Sequence, residues 1–303
     1  MTQSDFNYLT ESGLLSRVHY YDVIGSTNDQ AKKEVRKDNF IYFGPELFTA
    51  DTQSSGRGRM GRVWTSPAST NISMSLVTSP KLNSEHISGI TILAAMAVLK
   101  AVSDYSNNHG LSKLSDNLRI KWPNDLIIKG KKICGILTEL VYPYVICGIG
   151  VNVNTPSFPQ DISHKATSLL LETGISSDRT QIIGLISKYL INYINEYEKT
   201  EDLSFIIEEY NSLLISKDKE VILTSSNINV SSSSLESLNK HAGTTSLESP
   251  NKDSSTAFLN TLSEKFISRG IDKTGALLVE DKTGNIISIS SGEVSVRGLY
   301  GYV

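Results

Sequence analysis

The chain has 303 residues, of which 39% are hydrophobic and 20% are charged, and this predicts one large or two smaller domains with packed cores. A formal net charge of −3 argues against the broad basic surface of a nucleic-acid-binding domain. Two cysteines are too few for a disulfide framework, and no Cys/His spacing suggests zinc, so we expect a reduced, cytoplasmic setting. Residues 1–9 have neither the apolar run of a signal peptide nor the arginines of a transit peptide.

The first 215 residues alternate predicted strands and helices. Ser26 offers an N-cap side chain to a helix that runs through Val35, and alternating apolar and serine residues over 71–78 predict a strand. The apolar run 90–102, inside a helix predicted at 85–105, is too short to span a bilayer, and Lys100 interrupts it. Further strands are predicted at 19–24, 47–50, 118–122, 126–128, 133–141 and 144–153, and further helices at 179–197 and 203–214.

The composition changes after the last predicted helix. Residues 224–256 contain eleven serines and no aromatic residue, so they bury too little apolar surface to offset the entropy of ordering. We therefore predict a disordered insertion at about 224–262. Short strands around it, separated by glycines, predict a small β-barrel: 220–223, 266–268, 276–280, 286–290 and 294–297. The predicted organisation is a mixed α/β domain at 1–215 and a small barrel at 216–303.

The most distinctive string is the run 56–62, Gly-Arg-Gly-Arg-Met-Gly-Arg, which is followed by Trp64. Glycines allow sharp turns and close approach to a ligand, and arginines supply planar forks that match carboxylate and phosphate. The alternative is a flexible tail that binds nucleic acid, but such tails repeat the unit in low-complexity surroundings. Because this single copy lies between two predicted strands, we interpret it as a loop that holds two anionic groups at once.

Two further strings place charge beside predicted strands. The string 121–125 is Lys-Trp-Pro-Asn-Asp. An ordinary turn with a solvated lysine explains it at least as well as a binding site does. In a binding site, Asp125 would suit a ribose or a hard cation. Lys131 and Lys132 lie on a predicted hairpin turn, where lysines are usually solvated. Side-chain alternation allows one of them to face a site, but periodicity does not decide which.

The segment 148–154 superficially resembles a dinucleotide-binding glycine loop. It lacks the third glycine and the following helix, so that interpretation fails. We interpret Gly148 and Gly150 instead as positions where another backbone or a flat ring packs closely. The Walker A spacing is absent, no Ser/His/Asp arrangement stands out and the five histidines are scattered, so covalent catalysis by the protein is not indicated.

Taken together, these strings resemble the biotin protein ligases, also called holocarboxylase synthetases. The matching residues are Ser26, Thr27, Asn28, Gln53, the run 56–62 with Trp64, 121–126, Lys132, 135–137, Glu139 and 150–152, and residues 268–272 and 275–278 resemble the C-terminal domain of the family. The resemblance covers roughly 15–223 and 264–298. It implies an α+β fold: a mixed sheet with flanking helices, as in class II synthetase-like catalytic domains, plus a small C-terminal SH3-like β-barrel.

The resemblance implies a two-step reaction, in which ATP activates biotin to biotinyl-5′-AMP and the biotin is then transferred to a specific lysine of a biotin carboxyl carrier domain. It implies that biotin is bound by Ser26, Thr27, Asn28, Gln53, Arg57, Gly58, Arg59 and Lys132. Within that set, it assigns catalysis to Arg57, Arg59 and Lys132. It places on the adenylate side Arg59, Arg62, Trp64, Asp125 and Asn152. Mg²⁺ is expected to enter with ATP, and no protein ligand is assigned to it.

Some members of the family carry an N-terminal helix-turn-helix domain and repress transcription. In this sequence the match begins near Val18, so we expect a monofunctional enzyme with no nucleic-acid or membrane partner, acting as a monomer or homodimer. Two alternatives stay open. One is a lipoate–protein ligase, which uses a related two-step adenylation, and the other is a protein that binds biotin or an adenylate without turnover.

Overall fold

The computed structural model describes residues 1–65, 67–223, 229–230, 265–296 and 299. The chain divides into two compact units, Met1–Glu201 and Asp202–Val303. The domain boundary predicted at 215/216 stays a prediction. Apart from a two-residue strand at 229–230, the insertion predicted at about 224–262 lies outside the described residues.

The first unit is built on a mixed sheet of seven strands. They are β1 (Arg17–Ile24), β2 (Glu46–Gln53), β3 (Ile72–Thr78), β4 (Leu118–Lys121), β5 (Asp125–Ile128), β6 (Lys131–Val141) and β7 (Tyr144–Val151). Their order is β1-β2-β3-β7-β6-β5-β4, with β1 and β2 parallel and the other neighbours antiparallel. The predicted mixed sheet is confirmed. Strand β5 begins one residue earlier than predicted because Asp125 pairs with Lys121 across the turn.

Helices flank this sheet on both faces. They are α1 (Asn7–Glu11), α2 (Thr27–Val35), α3 (Ile87–Asn108), α4 (Ser112–Ser115), α5 (Leu169–Thr173) and α6 (Arg179–Thr200). Thr138 of β6 accepts a hydrogen bond from Thr91 of α3 at 2.9 Å, whereas the next residue, Glu139, accepts one from Asn28 of α2 at 2.8 Å. Because successive side chains on a strand point to opposite faces, α2 covers one face of the sheet and α3 the other.

Helix α3 is the central core helix of this unit. It has 22 residues, more than the apolar run 90–102, and Ser84–Asn108 has the length and composition of a membrane span. However, 67% of its apolar window is buried inside the fold, because it packs between the sheet and α6. Gly89 permits this packing, since a Cβ there would lie 2.5 Å from the hydroxyl of Tyr197 in α6. Its apolar character therefore serves internal packing.

The second unit contains α7 (Ile207–Leu213) and an antiparallel sheet. Its strands are β8 (Glu220–Leu223), β9 (Asn229–Val230), β10 (Lys265–Ile271), β11 (Leu277–Glu280), β12 (Ile286–Ser291) and β13 (Val294–Val296), in the order β13-β8-β10-β11-β12-β9. Helix α7 starts at Ile207, later than predicted, after a turn in which the N–H of Ile206 donates to the carbonyl of Leu203. The predicted small β domain is confirmed as a sheet; among the described residues β13 and β9 do not pair with each other, so closure into a barrel stays a prediction.

Candidate active site

The run of glycines and arginines forms a tight hairpin, which we call the Gly/Arg loop (residues 56–64). The N–H of Trp64 donates to the carbonyl of Gly56 at 2.9 Å. At the tip, Met60 and Gly61 have φ values of 56° and 74°, in the left-handed region that favours glycine. Gly56 has no room for a side chain, because a Cβ there would lie 2.3 Å from the carbonyl oxygen of Trp64. The string is therefore a closed loop, as its position between strands predicts.

The ring of Trp64 lies against the sheet where two glycines face each other. Gly135 of β6 and Gly150 of β7 are paired in register. A Cβ at Gly150 would lie 2.4 Å from the Trp64 ring, and one at Gly135 would lie 3.0 Å from it. The Nζ of Lys132 is 5.6 Å from the ring centroid, within the range of a cation–π contact. The prediction that the glycines of 148–154 admit a flat ring is thus confirmed.

The N-terminus of α2 places predicted biotin contacts on this same face. Ser26 caps the helix, because its hydroxyl accepts a hydrogen bond from the N–H of Asp29 at 3.4 Å. Thr27 donates to the side-chain oxygen of Gln53 at 2.8 Å through its N–H and at 3.1 Å through its hydroxyl. These two contacts fix the Gln53 side chain at the end of β2, next to the start of the Gly/Arg loop.

Asn28 is buried and its amide is fully oriented. Its Nδ2 donates to the carbonyl of Leu137 at 3.2 Å and to Glu139 at 2.8 Å, while its Oδ1 accepts from the hydroxyl of Ser75 at 2.5 Å. Gly148 allows this approach, because a Cβ there would lie 2.2 Å from Oδ1. Gly148 therefore serves the other predicted purpose, because it allows a neighbouring helix to pack closely against the strand.

Four charged side chains form a network beside Asn28. The Nη2 of Arg57 lies 2.6 Å from Asp29 and 3.2 Å from Glu139, and the Nζ of Lys32 lies 2.9 Å from each of the same two carboxylates. Burial by itself raises the pKa of Glu139. The hydrogen bonds from Lys32 and Asn28 and the charges of Lys32 and Arg57 outweigh burial, so the pKa is lowered. The Glu139 carboxylate therefore stays ionised at neutral pH.

An asparagine joins the Gly/Arg loop to the strands beneath it. The Nη1 of Arg59 donates to the Oδ1 of Asn124 at 3.1 Å, and the Nδ2 of Asn124 donates to the carbonyl of Ile136 at 3.0 Å. Asn124 belongs to the string 121–125, whose ordinary-turn interpretation stayed open. Its side chain contributes to the candidate site as well as to the turn.

The two neighbouring lysines point to different places. The Nζ of Lys132 lies 2.7 Å from the Oδ1 of Asp125, next to the Trp64 ring. The Nζ of Lys131 donates instead to the carbonyl of Ser163 at 3.2 Å. Of the pair, Lys132 faces the candidate site, and its assigned role stays a prediction.

Two predicted adenylate contacts lie in other settings. Asn152 is buried, and its amide bonds to the carbonyl of Thr167 at 3.1 Å and to Asn71 at 3.3 Å, so its adenylate role stays a prediction. Arg62 is exposed on the Gly/Arg loop. Among the remaining adenylate-side candidates, Trp64 and Asp125 lie beside Lys132, and Arg59 bonds to Asn124. Their roles stay predictions.

Sequence reasoning assigned no role to several residues that contact this site: Asp29, Lys32, Ser75, Asn124 and Glu139. Simple periodicity could have found two of them. Lys32 lies four residues after Asn28, on the same side of a helix. Glu139 lies four residues after Gly135 on β6, so the two share a face of the sheet. Ser75 comes to the site through the pairing of β3 with Gly148 on β7, which periodicity does not predict.

The cysteines do not supply a nucleophile. Cys134 and Cys147 are buried free thiols on β6 and β7. Burial raises the pKa of Cys147 to about 12 and raises that of Cys134 as well, so neither forms a thiolate readily. The catalytic roles of Arg57, Arg59 and Lys132 stay predictions.

Family models match both units of the chain. Residues 20–154 match the biotin/lipoate A/B protein ligase family, and residues 259–297 match the biotin protein ligase C-terminal domain. The bifunctional ligase/repressor BirA of Bacillus spizizenii is 40% identical over 173 residues, which is 54% of this chain and 49% of the relative. The biotin–[acetyl-CoA-carboxylase] ligase of Mycobacterium tuberculosis is 32% identical over 146 residues, 48% of this chain and 52% of the relative. The chain thus spans about half the length of these relatives.

Solved structures share the fold. The biotin protein ligase from Aquifex aeolicus in complex with biotin and ATP aligns with a TM-score of 0.70 at 23% identity, covering 93% of this chain and 99% of that one. The biotin protein ligase from Leishmania major in complex with biotin aligns with a TM-score of 0.55 at 20% identity, covering 90% and 98%. The matches to residues 20–154 and 259–297, the relatives and the shared fold together support a biotin protein ligase.

Proposed function

We propose that this protein is a biotin–[biotin carboxyl-carrier protein] ligase. In this proposal it activates biotin with ATP to biotinyl-5′-AMP and transfers the biotin to a lysine of a carrier domain. The observation that carries the proposal is that Arg57, Arg59 and Lys132 all lie along β6. Arg57 contacts Glu139 of that strand, Arg59 contacts Asn124, which bonds to the carbonyl of Ile136, and Lys132 belongs to the strand itself. Two of these cations come from the Gly/Arg loop and the third from β6, and Trp64, at the end of the loop, packs beside Lys132.

In the proposed first step, the carboxylate of biotin attacks the α-phosphorus of ATP. A new oxygen–phosphorus bond forms and pyrophosphate leaves with the electrons of the broken bond. The two reacting groups are both anionic, so cations that are fixed before the reaction lower the barrier without reorganising. The polar set at the start of α2, with Gln53, is proposed to hold the polar ring end of biotin and so to orient its carboxylate.

In the proposed second step, the amine of a carrier lysine attacks the acyl carbon of the adenylate. An amide forms and AMP leaves. The mixed anhydride is already activated, so this step needs positioning more than it needs a new catalytic group. The proposed partner is the biotin carboxyl carrier domain of a biotin-dependent carboxylase. Two relatives named biotin–[acetyl-CoA-carboxylase] ligase support this choice, and the proposed setting is the cytoplasm.

Mg²⁺ is proposed to enter with ATP and to neutralise the phosphates. Among the described residues no three His, Cys, Asp or Glu side chains gather into a metal site. The carboxylate of Asp125, the one candidate from the sequence, pairs with Lys132 at 2.7 Å. Mg²⁺ is commonly held by substrate phosphates with few protein ligands, so we assign it no protein site.

The test of this proposal is a transfer assay read by mass spectrometry. The purified protein is incubated with biotin, ATP, Mg²⁺ and an apo carrier domain, and lipoate replaces biotin in a parallel reaction. We expect the carrier to gain one biotinyl group only when both ATP and biotin are present. Transfer of lipoate alone would instead support the lipoate ligase, the alternative that the C-terminal match makes less favoured.

A second measurement separates a ligase from a protein that binds without turnover. A ligase exchanges labelled pyrophosphate into ATP when biotin is present, because the first step is reversible. Folded protein that binds biotin yet shows no biotin-dependent exchange would refute the proposed activity.

A further inference from the structure

Glu139 lies where three parts of the candidate site meet. Its Oε2 accepts a hydrogen bond from Asn28 at 2.8 Å, and its Oε1 accepts one from Lys32 at 2.9 Å. Both oxygens lie within 3.3 Å of the Nη2 of Arg57. The side chain is 24% exposed, so these partners, rather than solvent, fill most of its surroundings. One carboxylate thus ties β6 to α2 and to the Gly/Arg loop.

We propose that Glu139 is a positioning residue that fixes the Arg57 guanidinium and the Asn28 amide in their ligand-binding orientations. This inference rests on the proposed function, in which Arg57 contacts the carboxylate of biotin and Asn28 its polar ring end. Glu139 touches neither reactant and acts through these two side chains.

The contacts of Arg57 show how this positioning works. Its hydrogen bonds to Asp29 and Glu139 all use Nη2. A guanidinium carries five N–H donors in a planar fork, so anchoring through one nitrogen leaves the others for a ligand anion. Glycines precede and follow Arg57 in the loop, and they restrain the backbone weakly. The side-chain anchor therefore supplies the fixed orientation that the local sequence does not.

The contacts of Asn28 give the second half of the argument. Its Nδ2 has two protons, and the carbonyl of Leu137 and the carboxylate of Glu139 accept them. Oδ1 accepts from Ser75, and because an amide oxygen has two lone pairs, one stays for a ligand donor. An amide has nearly the same shape in its two flipped orientations, and the acceptor pair selects one of them. A carboxylate offers acceptors alone, whereas a glutamine in its place also offers an NH₂ group and so selects the amide orientation less strictly.

The substitution Glu139→Gln tests the proposal with little change of shape. The new NH₂ group would face the donors of Lys32, Arg57 and Asn28, so at least one contact is lost. We expect the Kd for biotin to rise about tenfold, the size of a lost hydrogen bond to a charged group. Because Glu139 acts through Arg57, the losses in Glu139→Gln and Arg57→Ala should combine to less than their product in the double variant. Calorimetric titration with biotin measures all four proteins, and thermal unfolding checks their folding.

Glu280→Gln is the matched control. Glu280 is 29% exposed and lies 2.6 Å from the Nε of Arg269, so it resembles Glu139 in chemistry and exposure. We expect its Kd for biotin to equal that of the wild type. Glu139→Asp, which keeps the charge but shortens the reach, should show the same non-additivity with Arg57→Ala and serves if the glutamine variant is unfolded.

Two results would overturn the inference alone: a wild-type Kd in Glu139→Gln, or losses that multiply fully in the double variant. Wild-type protein that binds no biotin would overturn the proposed function together with it. The failure of each proposal is thus distinguishable from the failure of the other.

Discussion

Two arginine clusters in this protein have nearly the same ion-pair geometry. Arg57 lies 2.6 Å from Asp29 and 3.2 Å from Glu139, while Arg269 lies 2.8 Å from Asp218 and 2.6 Å from Glu280. The two arginine side chains are 41% and 40% exposed. Ion-pair distances and exposure therefore do not tell a candidate site from a structural contact.

The neighbours of the two arginines do tell them apart. Arg57 lies in a glycine-rich loop, and its partner Glu139 also orients a buried asparagine. Arg269 lies within β10, and its partners belong to β11 and to the turn before β8, where Lys217 also donates to its carbonyl at 2.6 Å. The second cluster joins elements of one sheet. A close-packed glycine alone does not separate the two, because a Cβ at Gly270, next to Arg269, would lie 2.7 Å from Asn211. The first cluster differs because it joins a loop, a helix and a strand.

The largest effect on activity is expected at Lys132, which lies on the same strand as Glu139 of the first cluster. Lys132→Ala should reduce biotin-dependent pyrophosphate exchange by about 10²–10³-fold, the usual cost of removing one group that stabilises charge in a transition state. Lys131→Ala is the matched control, because Lys131 bonds to Ser163 away from the site. Equal small effects of the two substitutions would show that Lys132 is not a catalytic cation.

A second prediction concerns the glycine platform under Trp64. In Gly150→Ala the new methyl group would lie 2.4 Å from the ring, so the ring must move. We expect the free energy of unfolding to fall by about 1–3 kcal/mol, the usual cost of overpacking, together with lower exchange activity. Denaturant unfolding and tryptophan emission measure the two consequences.

Gly25→Ala is the control for this substitution, because no atom lies within 4 Å of a Cβ at Gly25. It should leave both measurements nearly unchanged. If Gly150→Ala retained wild-type stability and emission, the Trp64 ring would not rest on that glycine in solution.

Local spacing predicted a good part of this site. The N-cap at Ser26, the closed loop and the close packing at Gly148 and Gly150 each follow from a few neighbouring residues. The choice between Lys131 and Lys132 does not follow from local spacing. The β5–β6 register shifts between Leu126 and Ile127, so an extra residue on β6 interrupts simple alternation. Lys132 and Gly135, three residues apart, thereby come together.

Long-range pairing was the other part that the sequence did not supply. Arg57 and Glu139 are 82 residues apart, and their contact depends on the way that the Gly/Arg loop folds over β6. Periodicity predicts which face of a strand or helix a residue occupies, but it does not predict which loop lies above that face. The four-residue charge network became visible only in the folded chain for this reason.

A third prediction sets the two clusters directly against each other. Glu280→Gln should lower the unfolding temperature slightly, because exposed ion pairs contribute little to stability, and it should leave exchange activity unchanged. Glu139→Gln should lower activity by more than its stability change explains. Activity and thermal unfolding, measured on the same samples, test this. If the two variants lost activity alike, the neighbours of an arginine cluster would not indicate its function.

The smallest predicted effect is the pH dependence of stability at Glu139. Its pKa in the folded protein is lowered, because the hydrogen bonds of Lys32 and Asn28 and the charge of Arg57 outweigh the effect of burial. A lowered folded pKa means that the unfolded chain binds the proton first as the pH falls. The stabilisation is therefore complete above the ordinary pKa of a glutamate, and it is lost as the pH falls through the lowered one.

The difference in unfolding temperature between wild type and Glu139→Gln isolates this contribution, because the other facing groups, Asp29 included, are present in both proteins. We expect the difference to be greatest at neutral pH and to narrow through the acid range where carboxylates titrate. A difference that widened in acid would mean that burial, which alone raises the pKa, outweighs the cations. Glu139 would then be protonated before Arg57 could be held by a full negative charge, and the positioning argument would lose its electrostatic basis.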